Sequence, residues 1–117
     1  MGSRLLSIHI NAGGGAGYED FAYPNSSKSI VYQNMIHSEI VKQSDMKDCR
    51  KKQENLHVLR KSNMPAILTE CGFIDNKGDA AKFKDDEFIE KLAVGHVNGL
   101  VKAFIWMKKE SSNKNCC

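Results

Sequence analysis

The fold of this chain is decided by the stretch Pro65-Ala66-Ile67-Leu68-Thr69-Glu70-Cys71-Gly72-Phe73. It is a short apolar run of strand type that carries one glutamate and then reaches a glycine. The segment Ser7-Ile8-His9-Ile10-Asn11 repeats this form with a histidine in place of the glutamate. A buried carboxylate is costly unless a neighbouring group, most simply a cation, compensates for its lost hydration. In α/β folds that cost is usually accepted at a site at the carboxyl ends of the strands, so we expect a site here.

The rest of the chain alternates between strand and helix patterns. Strands are predicted at residues 5–10, 18–22, 56–59 and 66–71. Helices are predicted to begin at Ser26 or Ser27, at Asn76 or Asp79, and at Asp85 or Asp86. Residues 43–55 are dense in charge and are predicted to form a solvated connection. This order predicts an α/β fold with a mixed or mostly parallel sheet flanked by helices.

Side-chain spacing predicts which faces are buried. In residues 18–22, strand alternation places Tyr18 and Asp20 on one face and Glu19 and Phe21 on the other. The first and last helices carry apolar residues at helical spacing, namely Val31, Met35, Ile36 and Ile40, and Phe88, Leu92, Leu100 and Phe104. Residues 11–17 read as a loop, and its three consecutive glycines allow close approach to a ligand.

Cysteines and three of the histidines are expected to be structural. The four cysteines have neither the spacing of a disulfide framework nor that of a zinc site. Cys71 follows Glu70 on one strand, so its side chain is predicted to point into the core. Reduced thiols fit synthesis in a bacterial cytoplasm. For His37, His57 and His96, a core or solvated position is the favoured interpretation, with His57 on a strand.

Length and composition indicate one soluble globular domain, or most of such a domain. The net charge of +3 suits an anionic polymer such as a bacterial wall, although so mild a charge is also common without such a partner. Basic residues between Lys42 and Lys61 are interrupted by acidic ones and lack interleaved aromatics, so nucleic-acid binding is not expected. No apolar run approaches membrane-spanning length, and we expect no membrane partner.

Several linked motifs resemble the zinc-dependent N-acetylmuramoyl-L-alanine amidases of the Amidase_3 type, the family of autolysins, spore-cortex amidases and phage endolysins. The family pattern runs from S-I-H-x-N through G-x-E-x-(F/Y) and V-L-R to P-A-x-L-x-E-x-G-F-x-x-N. The matching segments are Ser7 to Asn11, Gly17 to Phe21, Val58 to Arg60 and Pro65 to Asn76. The resemblance extends from about Leu5 to Phe104, with matching order and spacing.

The resemblance also exposes a gap at the start of the chain. Members of the family begin with a strand ending in D-P-G-H-G-G, which supplies the first zinc histidine, followed by a helix with a glutamate ligand. Neither motif occurs in the 117 residues. The resemblance therefore implies that residues 1–107 are a truncated catalytic domain without the N-terminal portion of the family fold. Composition turns polar after Met107, so residues 108–117 are predicted to be a polar tail or the start of a linker.

Site roles follow from the resemblance. It implies that His9 is a ligand of one zinc ion whose other ligands are missing from this chain. Glu70 matches the catalytic glutamate, which takes a proton from zinc-bound water and later protonates the leaving amine. Glu19 and Asn11 become candidate substrate contacts.

Competing interpretations of these four residues stay open. His9 could be a core histidine bonded to the backbone, and Glu70 could form a buried salt bridge with Arg60. Glu19 could be a surface glutamate, and Asn11 could simply begin the glycine loop.

The function implied is hydrolysis of the amide bond between N-acetylmuramic acid and L-alanine in bacterial peptidoglycan. Such a protein is made in the bacterial cytoplasm and acts on the cell wall, in a phage, a prophage or the host itself. A wall-binding domain outside this chain is also implied. The alternative from a different class is a non-catalytic peptidoglycan-binding or accessory fragment, and zinc stoichiometry distinguishes the two.

Overall fold

A computed structural model describes the backbone of residues 3–115 and the side chains of residues 3–106, 108 and 109. The strands are β1 (Leu5–Asn11), β2 (Tyr18–Ala22), β3 (Asp48–Gln53) and β4 (Ala66–Phe73). The helices are α1 (Ser27–Ser44), α2 (His57–Arg60), α3 (Lys77–Lys82) and α4 (Asp86–Asn115). Among the helices of the described part, none is long and apolar enough to cross a membrane.

The four strands form one sheet in the order β1-β4-β2-β3. β1 pairs in parallel with β4, and β2 pairs in parallel with β3. β2 and β4 are antiparallel at the centre. The sheet is therefore mixed, and the predicted α/β class is confirmed. Because β1 and β4 are parallel, their carboxyl ends meet at one edge of the sheet.

Helices α1 and α4 cover one face of the sheet. The core on this face includes Tyr18, Ile36, Ile40, Ile67 and Cys71, each buried to 1% exposure or less. This confirms the predicted inward positions of Cys71 and of Ile36 and Ile40. Burial raises the pKa of the Cys71 thiol to about 11, which suits a side chain used for packing.

Two glycines of α4 allow it to cross α1 at close range. A Cβ atom at Gly99 would lie 2.7 Å from the Cα atom of Ile36, and one at Gly95 would lie 2.9 Å from the Cα atom of Ile40. The two helices are also joined by an ion pair between Glu39 and Lys102. Small residues thus set the distance between these helices, and the apolar side chains fill the space around them.

The opposite face of the sheet is divided into an apolar end and a polar end. Leu59, Ala66, Leu68 and Phe21 form a small buried cluster under α2. Toward the carboxyl ends of β1 and β4 the same face becomes polar, as described below.

Two element predictions were wrong. Residues 43–55 contain the edge strand β3, which is formed although most of its side chains are charged and exposed. An edge strand needs backbone pairing on one side only, so charge is tolerated there. Residues 56–59 were predicted to be a strand, but His57–Arg60 is a single helical turn. Leu59 is buried under the sheet, and so short an apolar run does not distinguish a strand from a helical turn.

The helix starts are close to those predicted. The Asn76 side chain accepts the backbone N–H of Asp79 and caps α3, and Asp85 accepts the N–H of Glu87 at the start of α4. Ser26 occupies the cap position of α1 without a side-chain cap bond. α4 continues to Asn115, through most of the segment predicted as a polar tail. The domain boundary at residue 107 stays a prediction, and Cys116 and Cys117 lie outside the described residues.

Candidate functional site

Three ionisable side chains form a row across the polar end of the sheet. The register of β1 and β4 places His9 opposite Glu70, and that of β2 and β4 places Glu19 opposite Glu70. Residues directly opposite each other on neighbouring strands share a face of the sheet. The structure therefore brings together three candidates that lie far apart in sequence.

Glu70, at the centre of the row, is half-buried. Its Oε2 atom is fully buried and has no hydrogen-bond partner within the described part of the chain. Burial raises the pKa of this carboxyl group; the charge of His9 lowers it, and that of Glu19 raises it further. A carboxyl group in this setting can hold a proton more readily than an exposed glutamate, which is a property that proton transfer requires.

Glu19 is held by two neighbours. Its Oε2 atom lies 2.5 Å from the ammonium group of Lys52 on β3, and its Oε1 atom accepts a hydrogen bond of 3.0 Å from the Asn11 amide. Glu19 is only 8% exposed, so it is not the surface glutamate of the competing interpretation. The sequence gives no signal for the role of Lys52, because a lysine on a charged edge strand resembles an ordinary solvated residue.

His9 and Asn11 occupy alternate positions of β1. The His9 side chain is exposed, and its Nε2 atom lies 2.6 Å from the Ser7 hydroxyl group. The core-histidine interpretation of His9 is therefore wrong. Asn11 is the last residue of β1, and its Oδ1 atom accepts the backbone N–H of Ala12 at 2.9 Å. Asn11 thus begins the glycine loop and contacts Glu19 as well.

Two aspartates hold the glycine loop beside this row. Asp75 accepts the backbone N–H groups of Gly13 and Gly14 at 2.9 and 3.0 Å, which lowers the pKa of the Asp75 carboxyl group. The buried Asp79 accepts the N–H groups of Gly17 and Phe73 at 2.8 and 2.9 Å. The sequence pattern indicates Asp79 only as a possible helix start. One signal could have indicated this role: the backbone N–H groups of a glycine-rich loop need acceptors, and a nearby aspartate can supply them.

The remaining histidines lie away from the row. His37 is buried on α1, where its ring contacts Asp20 at 2.7 Å and Asp48 at 2.8 Å. His96 donates from Nδ1 to the Leu92 carbonyl at 2.8 Å. Both are core histidines, as predicted. His57 is exposed, on α2 rather than on a strand.

The competing interpretation, in which Glu70 forms a buried salt bridge with Arg60, is wrong. Arg60 instead donates to the Asn55 side chain at 2.9 Å and lies 3.3 Å from the His57 ring. Among the ion pairs of the described residues, none joins Arg60 to Glu70. The buried oxygen of Glu70 is thus not explained by a structural ion pair.

The described residues do not complete a zinc site. A catalytic zinc ion needs three protein ligands, and the described part of the chain contains no group of three His, Cys, Asp or Glu side chains that could hold a metal. His9 and Glu70 are available donors, whereas Glu19 is engaged by Lys52 and Asn11.

Residues 3–102 match the Amidase_3 family, described as N-acetylmuramoyl-L-alanine amidase. This chain belongs to that family. It is 52% identical over 101 residues to the N-acetylmuramoyl-L-alanine amidase CwlM of Bacillus licheniformis, covering 86% of this chain and 40% of CwlM. It is also 52% identical over 109 residues to the sporulation-specific amidase of Bacillus subtilis, covering 92% and 43%. The endolysin of Bacillus phage SPP1 is 39% identical over 116 residues, covering 93% and 43%.

Solved structures show the same fold. The N-acetylmuramoyl-L-alanine amidase of Clostridium difficile 630 superposes with a TM-score of 0.83 at 32% identity, covering 86% of this chain and 57% of that one. The catalytic domain of CwlV from Bacillus (Paenibacillus) polymyxa gives 0.81 at 27% identity, with the same coverage. The chain spans about two-fifths of the length of the three curated relatives named above.

Proposed function

We propose that this amidase chain carries part of the catalytic centre of a peptidoglycan hydrolase that cleaves the amide bond between N-acetylmuramic acid and L-alanine. The observation that supports the proposal best is the buried, unpartnered Oε2 atom of Glu70, at the centre of a row with His9 and Glu19. Amide hydrolysis needs a group that first accepts and later donates a proton at one place, and a carboxyl group with a raised pKa is suited to both steps.

In this proposal Glu70 takes a proton from the attacking water and returns it to the nitrogen of the leaving amine. Water attack on the amide carbonyl forms the new C–O bond, and protonation of the nitrogen allows the C–N bond to break. The charge of Glu19 disfavours ionised Glu70 and so favours the form that holds the proton. Lys52 and Asn11 keep Glu19 in place beside it.

His9 is proposed as a ligand of one zinc ion. Its exposed imidazole lies at the open edge of the sheet, on the same face as Glu70, where ligands from outside the described residues could meet it. Bound zinc would polarise the substrate carbonyl group and activate water. Glu19 and Asn11 are proposed to border the substrate, because Glu19 lies opposite Glu70 and Asn11 both bonds to Glu19 and begins the glycine loop.

A non-catalytic accessory or wall-binding fragment is the second candidate. It is favoured by the lack of a three-residue metal group in the described part of the chain.

A chimera separates the two functions. Residues 3–102 would replace the matching region of the Bacillus subtilis sporulation-specific amidase, and the release of free L-alanine amino groups from purified peptidoglycan would be measured. The catalytic proposal predicts a zinc-loaded chimera that releases these groups. A folded, zinc-loaded chimera that binds the wall without hydrolysing it would favour the accessory function.

A further inference from the structure

The edge strand β3 contains a bulge in its pairing with β2. Tyr18 is paired with Asp48. The next pair joins Asp20 to Lys51, so β3 has one more residue than β2 between the two pairs. Within the bulge, Arg50 has a positive φ of 83°. That conformation is uncommon for a residue other than glycine, so the bulge is strained backbone that its surroundings must stabilise.

The bulge determines which lysine of β3 faces Glu19. Side chains of a regular strand alternate, so residues three apart point to opposite faces. Asp48 and Lys51 nevertheless both bond to side chains of α1, at 2.8 and 2.9 Å. Lys52 consequently lies on the other face, where its ammonium group contacts Glu19 at 2.5 Å. With regular pairing from Asp48 onward, Lys51 would take that face and Lys52 would point toward α1.

Hydrogen bonds to Asp48 hold the bulge in place. The Oδ1 atom of Asp48 accepts the backbone N–H of Arg50 at 2.8 Å and also lies 2.8 Å from Nε2 of His37. The Nδ1 atom of His37 lies 2.7 Å from the fully buried Asp20. Because ionised carboxylates only accept hydrogen bonds, the His37 ring donates from both nitrogens and connects β3 to β2.

We propose that His37 and Asp48 are positioning residues for the candidate site. They fix the bulge in β3, and the bulge places Lys52 rather than Lys51 against Glu19. Glu19 is only 8% exposed, so without Lys52 its charge would be buried without a cationic partner. The inference rests on the proposed function only in treating Glu19 as part of the catalytic centre.

The reactivity of the Lys52 amine reports its contact with Glu19. The bond to Glu19 raises the pKa of the Lys52 ammonium group, against the effect of burial, so less free amine is present at about pH 8. The folded 117-residue chain would be treated with limiting acetic anhydride, and mass spectrometry would give the acetylation rate at each lysine. Glu19→Gln should raise the rate at Lys52 and defines full loss of the contact. Lys91, paired with Glu87 on α4, is the internal reference and should not change.

Variants of Asp48 test whether the contact depends on the bulge. Asp48→Ala removes the acceptor of the Arg50 N–H and should raise the acetylation rate at Lys52 to that in Glu19→Gln. Asp48→Asn is the matched control, because its side-chain oxygen can still accept that N–H, and it should keep the wild-type rate. His37→Gln should also raise the rate, because one amide group does not bridge two carboxylates.

Variants of Arg50 test the bulge independently of Asp48. Arg50→Gly, added to Asp48→Ala, should restore the wild-type rate at Lys52, because glycine adopts a positive φ without steric cost. Arg50→Val should raise the rate with Asp48 intact, because a β-branched residue strongly disfavours that conformation. Asp48 and Arg50 are both exposed, so these variants should keep the wild-type circular dichroism spectrum.

Three results would overturn the inference. One is a wild-type rate at Lys52 in Asp48→Ala, and another is failure of Arg50→Gly to restore that rate. The third is an equal rate in wild type and Glu19→Gln, which would show that the contact does not form. Hydrolysis is not measured here, so an inactive chimera alongside the expected lysine rates would count against the proposed function alone.

Discussion

Glu70 lies directly opposite Glu19 in the antiparallel register of β4 and β2, yet the two carboxyl groups have different surroundings. Glu19 contacts Lys52 and Asn11, whereas a buried oxygen of Glu70 has no partner within the described residues. When two neighbouring carboxyl groups have such different environments, they can take different protonation states and different roles.

The first prediction concerns the pKa of Glu70. Glu19→Gln should lower it, because the charge of Glu19 raises it, and His9→Ala should raise it further, because the charge of His9 lowers it. Carbon-13 NMR titration of the labelled Glu70 carboxyl group measures both shifts. Glu90→Gln, at an exposed position of α4, is the control and should leave the value unchanged. Shifts in the opposite directions would contradict the arrangement of the row.

The second prediction concerns stability and pH. Burial acts to lower the pKa of His37, but its bonds to Asp20 and Asp48 outweigh burial and raise it above 6.5. A raised folded-state pKa stabilises the protein below the unfolded value of about 6.5, and this contribution is lost as the pH rises through the folded-state pKa. We expect the stability advantage of wild type over His37→Gln, measured by urea unfolding, to shrink across that window. An advantage that stays constant from pH 5 to about pH 9 would contradict this account.

The third prediction concerns the glycine loop. Asp79→Ala should destabilise the protein by about 1–3 kcal/mol, because it leaves the buried N–H groups of Gly17 and Phe73 without an acceptor. Hydrogen exchange at these two amides should become faster. The matched variant Asp75→Ala removes an exposed acceptor and should increase exchange at Gly13 and Gly14 with little effect on global stability. Equal losses of stability in both variants would be evidence against the distinction.

The fourth prediction concerns the crossing of α1 and α4. Gly99→Ala should destabilise the protein by about 1–3 kcal/mol, since its Cβ atom would lie 2.7 Å from the Cα atom of Ile36. Glu90→Ala on the exposed face of the same helix should change stability by less than about 0.5 kcal/mol. Thermal unfolding of both variants measures the difference. A Gly99→Ala variant as stable as wild type would show that the helices are not held at this distance.

The fifth prediction concerns zinc in the isolated chain. Since the described residues offer His9 without a complete ligand set, we expect weak zinc binding and little hydrolysis from the 117-residue chain alone. Metal analysis after dialysis and a peptidoglycan-release assay measure the two quantities. Tight stoichiometric zinc that a chelator removes together with hydrolysis would contradict this expectation.

The sequence predicted the strands that carry His9, Glu19 and Glu70, because their apolar patterns are clear. It did not predict β3, since the charges of an edge strand look like those of a solvated loop. The neighbours of Glu19 were therefore missed, because Lys52 reaches it only through the pairing of β2 with β3. Strand order and register depend on contacts between distant segments, and a single sequence does not contain that information directly. The resemblance to a family supplied the candidate roles, which stay proposals.

The measurement that tests the central claim most directly compares Glu70→Ala and His9→Ala in the chimera with the Bacillus subtilis amidase. Zinc content and peptidoglycan hydrolysis would be determined on the same samples. We expect Glu70→Ala to keep its zinc and to lose about 10² to 10⁴-fold in turnover, because general acid–base groups typically contribute that much. His9→Ala should lose the metal itself. Near-normal hydrolysis by Glu70→Ala, or loss of its zinc as complete as in His9→Ala, would contradict the role assigned to Glu70.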